Sequence, residues 1–290
     1  MTDLHIALCQ YRITRVSGLD AYAARLDALL AEAAGADLLV LPEYASLEAA
    51  AVADPPDVAA ELATAVAQAD AVLDIMRAAA RRHGVWLLAG SLPMRGADGA
   101  VHNCAPLFDP EGRVAFQQKQ VMTRFERESW MVSPGDPPAV FATPWGRIGV
   151  AICYDVEFPS VVRAQVEAGA WLILAPSCTD TMHGFNRVLL SARARALENQ
   201  CYVAVAPTVG DAPWSATLDV NRGHAAVLGP VDRGFPEDGV LARGALDEGM
   251  WLHARLDPAR LDAVRESGAV RNHRDWPDMP VPPCPVRTPA

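Results

Sequence analysis

The stretch Arg147-Ile-Gly-Val-Ala-Ile-Cys-Tyr-Asp-Val-Glu-Phe-Pro159 changes character half-way along. Its first half, residues 148–152, is a short apolar run of the kind that forms a strand buried on both faces of a sheet. A thiol, a phenol and two carboxylates then follow within five residues. Cys153 is therefore expected at the carboxyl end of a core strand, where open α/β sheets bind their ligands. Most unpaired cysteines are inert buried thiols, so this stretch alone favours neither a structural nor a catalytic cysteine.

Apolar runs of the same kind alternate with helical segments along the rest of the chain. Runs typical of buried strands lie at residues 4–9, 37–42, 85–89, 171–175 and 201–206, with weaker ones at 223–228 and 250–256. Apolar residues recur at helical spacing in residues 21–34 and 185–200, residues 158–168 are expected to form a helix, and the Ala-rich residues 57–83 are expected to form one or two helices. Strands interleaved with helices in this way predict an α/β fold in which helices cover the faces of the sheet.

Three further segments complete the expected layout. Residues 103–109 and 113–118 flank Pro110-Glu-Gly112, a turn signal typical of a β-hairpin. Residues 120–145 contain four prolines and few periodic apolar residues, which is typical of a functional loop. No linker interrupts the pattern, so we expect a single domain over residues 1–274. The proline-rich residues 275–290 are expected to be disordered or to form an arm over the body or a partner subunit.

The composition excludes several classes of partner. The chain has 290 residues, of which 51% are hydrophobic, and a formal net charge of −10. Such an acidic chain is not expected to bind nucleic acid or an anionic membrane surface. No apolar run approaches the roughly 20 residues of a membrane span, and the N-terminus lacks the basic start and apolar stretch of a signal peptide. These features predict a cytoplasmic protein with no membrane partner.

The cysteine pattern indicates reduced thiols and no metal centre. The six cysteines are scattered, and none forms a Cys-x-x-Cys pair. His102-Asn-Cys104 is only a fragment of a metal motif and is expected to be a turn between strands. The sequence also lacks the glycine-rich nucleotide loops and the Gly-x-Ser-x-Gly elbow of serine hydrolases.

Glu43, Lys119 and Cys153 each stand where a strand run ends. A glutamate in such a place is usually just solvated, but the combination has a chemical use. A thiol must lose its proton to become a good nucleophile, and a carboxylate within hydrogen-bond reach can take that proton and later return it. An ammonium beside them can hold the carboxylate and stabilise charge that develops on a substrate. These three residues are therefore the candidate catalytic group.

Lys119 is also the single lysine among the 25 basic residues, the other 24 being arginine. A compact ammonium fits where a planar guanidinium does not, and its proton can be tuned by the surroundings. The alternative explanation is that one lysine has survived at this position by chance. Its position at a strand end favours a specific requirement for the amine.

The motifs around these residues resemble those of the nitrilase superfamily, the carbon–nitrogen hydrolases with a Glu-Lys-Cys triad. The matching pieces are Leu41-Pro-Glu-Tyr44, Gln118-Lys-Gln120, Ile152-Cys-Tyr-Asp-Val-Glu-Phe-Pro159, Ala175-Pro-Ser177, Arg195-Ala-Leu-Glu-Asn-Gln-Cys-Tyr-Val203 and Gly223-His224. They follow the family's order along nearly the whole chain, and the motif around Cys153 is the most specific of them. The wording of Met122-Thr-Arg-Phe-Glu-Arg-Glu128 looks most like a bacterial, amidase-like branch.

This resemblance implies an α-β-β-α four-layer sandwich, often assembled as dimers, so a homodimer or higher homo-oligomer is expected. It implies Glu43 as the general base, Cys153 as the nucleophile and Lys119 as their electrostatic partner. No metal or organic cofactor is implied.

The family also places a second glutamate beside the lysine, and two residues compete for that place. We prefer Glu128, because Glu128-Ser-Trp130 matches the family's Glu-x-Trp pattern, while Glu126 stays open. The residues expected to surround the substrate are Tyr44, Trp130, Tyr154, Glu157, Phe158 and Thr179.

The implied activity is hydrolysis of a small-molecule amide to a carboxylic acid and ammonia or an amine, through a thioester on Cys153. Alternatives within the class are a nitrile or an N-carbamoyl amide as substrate, and acyl transfer to an amine instead of water. The alternative from a different class is a small-molecule binding module without turnover. An intact triad argues against that module, because a protein that only binds has no reason to keep Lys119.

Overall fold

The computed structural model describes residues 3–50 and 57–278. In chain order the strands are β1 (Leu4–Arg12), β2 (Leu38–Leu41), β3 (Trp86–Ala89), β4 (Leu92–Arg95), β5 (Val101–Phe108), β6 (Val114–Gln118), β7 (Val140–Thr143), β8 (Gly146–Val150), β9 (Ala170–Ser177), β10 (Tyr202–Asp211), β11 (Val220–Asn221), β12 (Ala226–Leu228), β13 (Val240–Arg243) and β14 (Met250–Leu256). The helices are α1 (Leu19–Glu32), α2 (Val58–His83), α3 (Arg124–Glu128), α4 (Pro159–Glu167), α5 (Met182–Asn199), α6 (Pro258–Ser267) and α7 (Asn272–Asp275). Short 3-10 turns cover Ala45–Ala50, Cys153–Glu157 and Trp276–Asp278.

Local start and stop signals explain where the longest helix begins and ends. The Asp57 side chain accepts hydrogen bonds from the backbone N–H groups of Ala59 and Ala60, which have no partner inside the first turn of α2. The helix ends at Gly84, which adopts the left-handed conformation that glycine tolerates best. One continuous helix therefore fills the segment predicted from residues 57–83.

The strands form two sheets that are linked through the ends of two interior strands. In the first sheet β14, β1, β2 and β3 lie side by side, and the antiparallel ribbon β4–β5–β6 extends the sheet beyond β3. In the second sheet β8, β9 and β10 are parallel, with β7 on one side and β12 and β13 on the other. β11 pairs with the end of β10. The sheets join where Tyr11 and Arg12 of β1 pair with Thr208 and Val209 of β10.

The side chains of β2 show how the layers stack. Leu38 and Val40 lie in the apolar layer between the two sheets, whereas Leu39 and Leu41 lie in the layer beneath α1 and α2. This alternation is the two-residue period of a strand that is buried on both faces. Helices α4 and α5 pack on the outer face of the second sheet. The order helix, sheet, sheet, helix confirms the predicted α-β-β-α sandwich.

The hairpin β5–β6 is confirmed, with Phe108 opposite Val114, but other local predictions need correction. Residues 120–145, expected to be a loop, contain both α3 and β7. His102-Asn-Cys104, expected to be a turn, lies inside β5 and pairs with β4. At the carboxyl end, α7 and a 3-10 turn extend to Asp278, and residues 279–290 of the expected tail lie outside the described part of the chain.

Two further findings concern membranes and metals. No helix within residues 3–50 and 57–278 is both long enough and apolar enough to cross a bilayer. In the same residues, His, Cys, Asp and Glu side chains nowhere form a group of three or more that could hold a metal ion.

Candidate active site

Glu43 comes two residues after the end of β2, and its side chain is buried beyond the carboxyl end of that strand. One carboxylate oxygen, Oε1, accepts hydrogen bonds from Lys119 Nζ at 2.8 Å and from Asn103 Nδ2 at 2.9 Å. The other, Oε2, accepts the backbone N–H of Cys178 at 3.1 Å. Burial raises the pKa of Glu43 to about 7, against the positive charge of Lys119, which lowers it. A carboxylate with this pKa is suited to exchanging protons near neutral pH.

Lys119 follows β6 directly and is 1% exposed. Its Nζ lies 2.8 Å from Glu43 Oε1 and 2.7 Å from each carboxylate oxygen of Glu126. Burial disfavours the ammonium, but the negative charges of Glu43 and Glu126 outweigh this effect and raise the pKa of Lys119 well above its usual value. Lys119 therefore carries a permanent positive charge between two carboxylates.

The second glutamate beside Lys119 is Glu126, and the preference for Glu128 is wrong. Thr123 caps α3 and forms a capping box with Glu126, so that Glu126 Oε2 accepts the backbone N–H of Thr123 at 2.8 Å. Residues two positions apart on a helix point to nearly opposite sides, because each residue turns the helix by about 100°. Glu128 accordingly faces solvent and pairs with Arg124 at 2.8 Å.

Cys153 opens the 3-10 turn that follows β8. It has a φ of 49°, in the left-handed region that residues other than glycine seldom adopt. Such backbone strain persists only where the surrounding structure imposes it, and it often occurs at functional sites. The Cys153 thiol donates to the backbone carbonyl of Cys178 at 3.5 Å. Burial and the negative charge of Glu43 raise the pKa of Cys153 well above its usual value, so the resting side chain is a thiol.

A cavity of about 480 Å³ opens over these groups, a volume typical of small-molecule sites. Glu43, Lys119, Glu126 and Cys153 all line it. Four of the six predicted substrate-contacting residues line it as well, namely Tyr44, Tyr154, Glu157 and Thr179. Arg187 also lines the cavity and pairs with Glu157, the Arg187 Nε atom lying 3.6 Å from Glu157 Oε1.

Trp130 and Phe158, the other two predicted contacts, do not line the cavity. Trp130 is 2% exposed and packs edge-on against Tyr44, with ring centroids 5.0 Å apart. Phe158 packs in the same manner against Tyr154, at 4.9 Å. Each of them thus supports an aromatic side chain that does line the cavity. Sequence spacing could not separate the residues that line the cavity from those that pack behind them, because each of the four aromatic residues stands in a motif that contains a candidate catalytic residue.

Three residues outside the predicted site hold it together. Asn103 bonds to Glu43, and the backbone of Cys178 contacts both Glu43 and Cys153. Asp155 accepts the backbone N–H groups of Gln120 and Val121, the two residues after Lys119, and thereby fixes the loop that follows the lysine. The available signal for Asn103 was its polar side chain inside a strand of otherwise apolar character.

Comparison with known proteins identifies the family. The family model described as carbon-nitrogen hydrolase matches residues 5–233. The chain belongs to the carbon-nitrogen hydrolase family. The resemblance to the nitrilase superfamily is thereby confirmed.

Sequence relatives of this carbon-nitrogen hydrolase include proteins named as amidases. The omega-amidase NIT2-A of Xenopus laevis is 30% identical over 210 residues, which are 69% of this chain and 72% of that protein. The probable hydrolase YhcX of Bacillus subtilis is 28% identical over 274 residues. That match covers 94% of this chain but 53% of YhcX, so the chain spans about half the length of that relative.

Solved structures agree in fold. The carbon-nitrogen hydrolase superfamily protein XC1258 of Xanthomonas campestris superposes with a TM-score of 0.76 at 22% identity, covering 97% of this chain and 98% of that one. A glutamate-to-glutamine mutant of the amidase from Nesterenkonia sp. AN1 superposes with a TM-score of 0.67 at 28% identity, covering 94% and 99%. In that mutant, acrylamide is added to the active-site cysteine. This protein is accordingly an enzyme of the amidase and nitrilase type.

Proposed function

We propose that this carbon-nitrogen hydrolase cleaves small-molecule amides by acyl transfer through Cys153. The observation that carries the proposal is the meeting of Cys153, Glu43, Lys119 and Glu126 on one cavity wall. A thiol, a carboxylate with a pKa of about 7 and a buried ammonium are the groups that such a reaction needs.

The first half of the reaction forms a thioester. Glu43 takes the proton of the Cys153 thiol as the sulfur attacks the amide carbonyl carbon, and the carbonyl oxygen becomes an oxyanion. The backbone N–H of Tyr154, at the start of the 3-10 turn, is available to hold that oxyanion, since the first N–H groups of a helical turn have no partner within it. Glu43 then gives its proton to the leaving nitrogen as the carbon–nitrogen bond breaks, and ammonia or an amine departs.

The second half consumes water. Glu43, again a carboxylate, removes a proton from a water molecule as the water oxygen attacks the thioester carbon. The carbon–sulfur bond breaks, Glu43 returns the proton to the sulfur, and a carboxylic acid leaves. The enzyme then has its starting protonation state.

Lys119 acts in this scheme through its charge. Its three N–H groups match the three carboxylate contacts at 2.7–2.8 Å, so none is free in the resting site. A fixed positive charge in a buried site stabilises negative charge that develops nearby. Glu126 holds the ammonium in place, and the Tyr44 hydroxyl in turn donates to Glu126.

The preference for amides over other carbon–nitrogen compounds comes from the relatives. Proteins similar to this chain are named omega-amidase and deaminated glutathione amidase. The acrylamide adduct on the related Nesterenkonia amidase supports the cysteine as the attacking group. A homo-oligomeric assembly, a cytoplasmic location and a single domain over residues 1–274 stay predictions.

The test is a panel of small amides, N-carbamoyl amides and nitriles, with ammonia release and intact mass as readouts. We expect ammonia from at least one amide and a mass increase equal to the acyl group when the reaction is quenched early. Both signals should be absent from a folded Cys153→Ala variant.

Other outcomes of the same panel would replace the proposal. Turnover of nitriles alone would make the enzyme a nitrilase, and an N-substituted amide formed in place of the acid when a primary alkylamine is present at low concentration would show transfer to an amine. Saturable binding of an amide with neither ammonia nor adduct would indicate a binding module.

A further inference from the structure

Asn103 lies near the start of β5, is fully buried and contacts the candidate catalytic residues from behind the cavity. Its Nδ2 donates to Glu43 Oε1 at 2.9 Å and lies 3.4 Å from Glu126 Oε1. Its backbone carbonyl accepts the backbone N–H of Lys119 at 2.9 Å. A single residue thus contacts three of the four groups to which the reaction is assigned.

The hydrogen bonds on the two oxygens of Glu43 are unequal. A carboxylate oxygen has two lone pairs, and Oε1 already accepts from both Lys119 and Asn103. Oε2 accepts the backbone N–H of Cys178, which leaves one lone pair, and the Cys153 thiol lies within hydrogen-bonding reach of the Glu43 carboxylate. Protonation of Oε1 would break a hydrogen bond to a buried donor, whereas protonation of Oε2 would not.

The amide side chain provides a donor without adding charge. Asn103 Oδ1 has no hydrogen-bond partner within the described residues. The side chain therefore acts there through Nδ2, which donates to the carboxylates. An aspartate of the same shape would place a third negative charge beside Glu43 and Glu126. The arrangement therefore depends on the N–H donor.

We propose that Asn103 is a positioning residue that occupies Glu43 Oε1 and so directs the proton of Cys153 to Oε2. The inference rests on the proposed function, in which Glu43 exchanges protons with the sulfur. Asn103 does not line the cavity and need not touch substrate. Its removal should change proton transfer more than substrate binding.

The groups that face Glu43 fix the direction of the expected pH effect. They are the ammonium of Lys119, the carboxyl of Glu126, the thiols of Cys153 and Cys178, and the phenol of Tyr44. Without the Asn103 donor the charged form of Glu43 is less stable, so its pKa rises from the value of about 7. Any reaction that needs the Glu43 carboxylate should then require a higher pH.

The experiment measures alkylation of Cys153 by iodoacetamide as a function of pH, with peptide mass mapping to separate Cys153 from the other cysteines. The wild type should lose reactivity below pH 7, and in Asn103→Leu that midpoint should move up by on the order of one pH unit. With an amide substrate, kcat at pH 7 should fall about five-fold, while KM stays within about two-fold.

Asn199→Leu is the matched control. Asn199 is also buried, and its Nδ2 donates to the carbonyl of Arg195 in α5, far from the cavity lining. This variant should lose stability without moving the alkylation midpoint. If Asn103→Leu does not fold, Asn103→Asp keeps the shape and should move the midpoint in the same direction.

A folded Asn103 variant whose midpoint equals that of the wild type would overturn the proposal, even if its kcat falls. If the midpoint shifts but the protein cleaves no amide, the positioning role of Asn103 is supported and the proposed function is refuted. The alkylation assay therefore separates the two.

Discussion

Within the described residues, the candidate catalytic group can be compared with a second group that combines a buried cysteine, a buried glutamate and a partly exposed arginine. The second group is Cys9, Glu48 and Arg25. Glu48 accepts hydrogen bonds from Arg25 Nε at 2.8 Å, from the Tyr11 hydroxyl and from a backbone N–H. Burial raises the pKa of both Cys9 and Glu48, as it does at the site.

The two groups differ in backbone and in access. Cys9 lies inside β1, packed in the apolar layer beneath α1 and α2. Cys153 lies beyond its strand, in a turn with left-handed φ, and lines the 480 Å³ cavity. The comparison teaches that a thiol, a carboxylate and a cation do not make a site by themselves. The chain must also leave the strand so that the sulfur faces space for a substrate.

The largest contrast should come from the two cysteines. Cys153→Ala removes the attacking atom, so turnover should fall at least a thousand-fold. Cys9→Ala should keep turnover within about two-fold and lower the free energy of unfolding by about 1 kcal/mol through lost packing. Amide hydrolysis and urea unfolding of both variants test this. Equal losses of activity would remove the distinction between the two groups.

The basic residues should respond less strongly. Lys119 is enclosed by two carboxylates and is 1% exposed, so the larger, planar guanidinium of Lys119→Arg does not fit and kcat should fall about a hundred-fold. Arg25 has a partly exposed side chain, and Arg25→Lys should leave kcat unchanged. Near-normal turnover of a folded Lys119→Arg would refute the argument from the single lysine.

The two loop glutamates provide a closer pair. Glu126→Gln removes one of the carboxylates that hold Lys119, and kcat should fall about ten- to a hundred-fold. Glu128→Gln breaks only an exposed pair with Arg124, so kcat and stability should match the wild type within about 0.5 kcal/mol. Steady-state kinetics and thermal unfolding of the two variants show which glutamate supports Lys119. A larger effect at Glu128 would restore the assignment that the structure contradicts.

The last contrast concerns the dependence of activity on pH. Glu43 accepts a proton only as a carboxylate, and its pKa is about 7. The value of kcat/KM should therefore fall as the pH drops below 7, by about ten-fold for each further pH unit. Glu48→Gln should leave the fall of kcat/KM below pH 7 unchanged, since Glu48 belongs to the group around Cys9. A profile that stays flat down to pH 5 would exclude Glu43 as the base.

Much of the fold followed from local pattern. The apolar run before Cys153 and the run that precedes Glu43 are strands because their residues suit burial on both faces, and the structure has β8 and β2 there. The same rule failed for residues 120–145, where α3 has five residues and β7 has four. Segments this short give too few periods for a pattern to emerge.

The part of the site that could be predicted consists of residues with a known chemical use that follow a recognisable strand. Glu43, Lys119 and Cys153 were found because each follows a recognisable run and has a chemical use. Choosing between Glu126 and Glu128 required the start of α3, for which Thr123 three residues before Glu126 was an available but unused signal. Asn103 was missed because its contact with Glu43 joins residues 60 positions apart.

The sequence by itself determined the alternation of the main strands and helices, the reactive residues that follow three of the strands and the family to which the chain belongs, because these depend on short-range periodicity and on local motifs. Only the tertiary structure decided which glutamate holds Lys119, which aromatic residues line the cavity and which cysteine has access to it. Those outcomes depend on the direction of side chains between segments far apart in the chain, and a shift of two residues along a helix turns a side chain to nearly the opposite side.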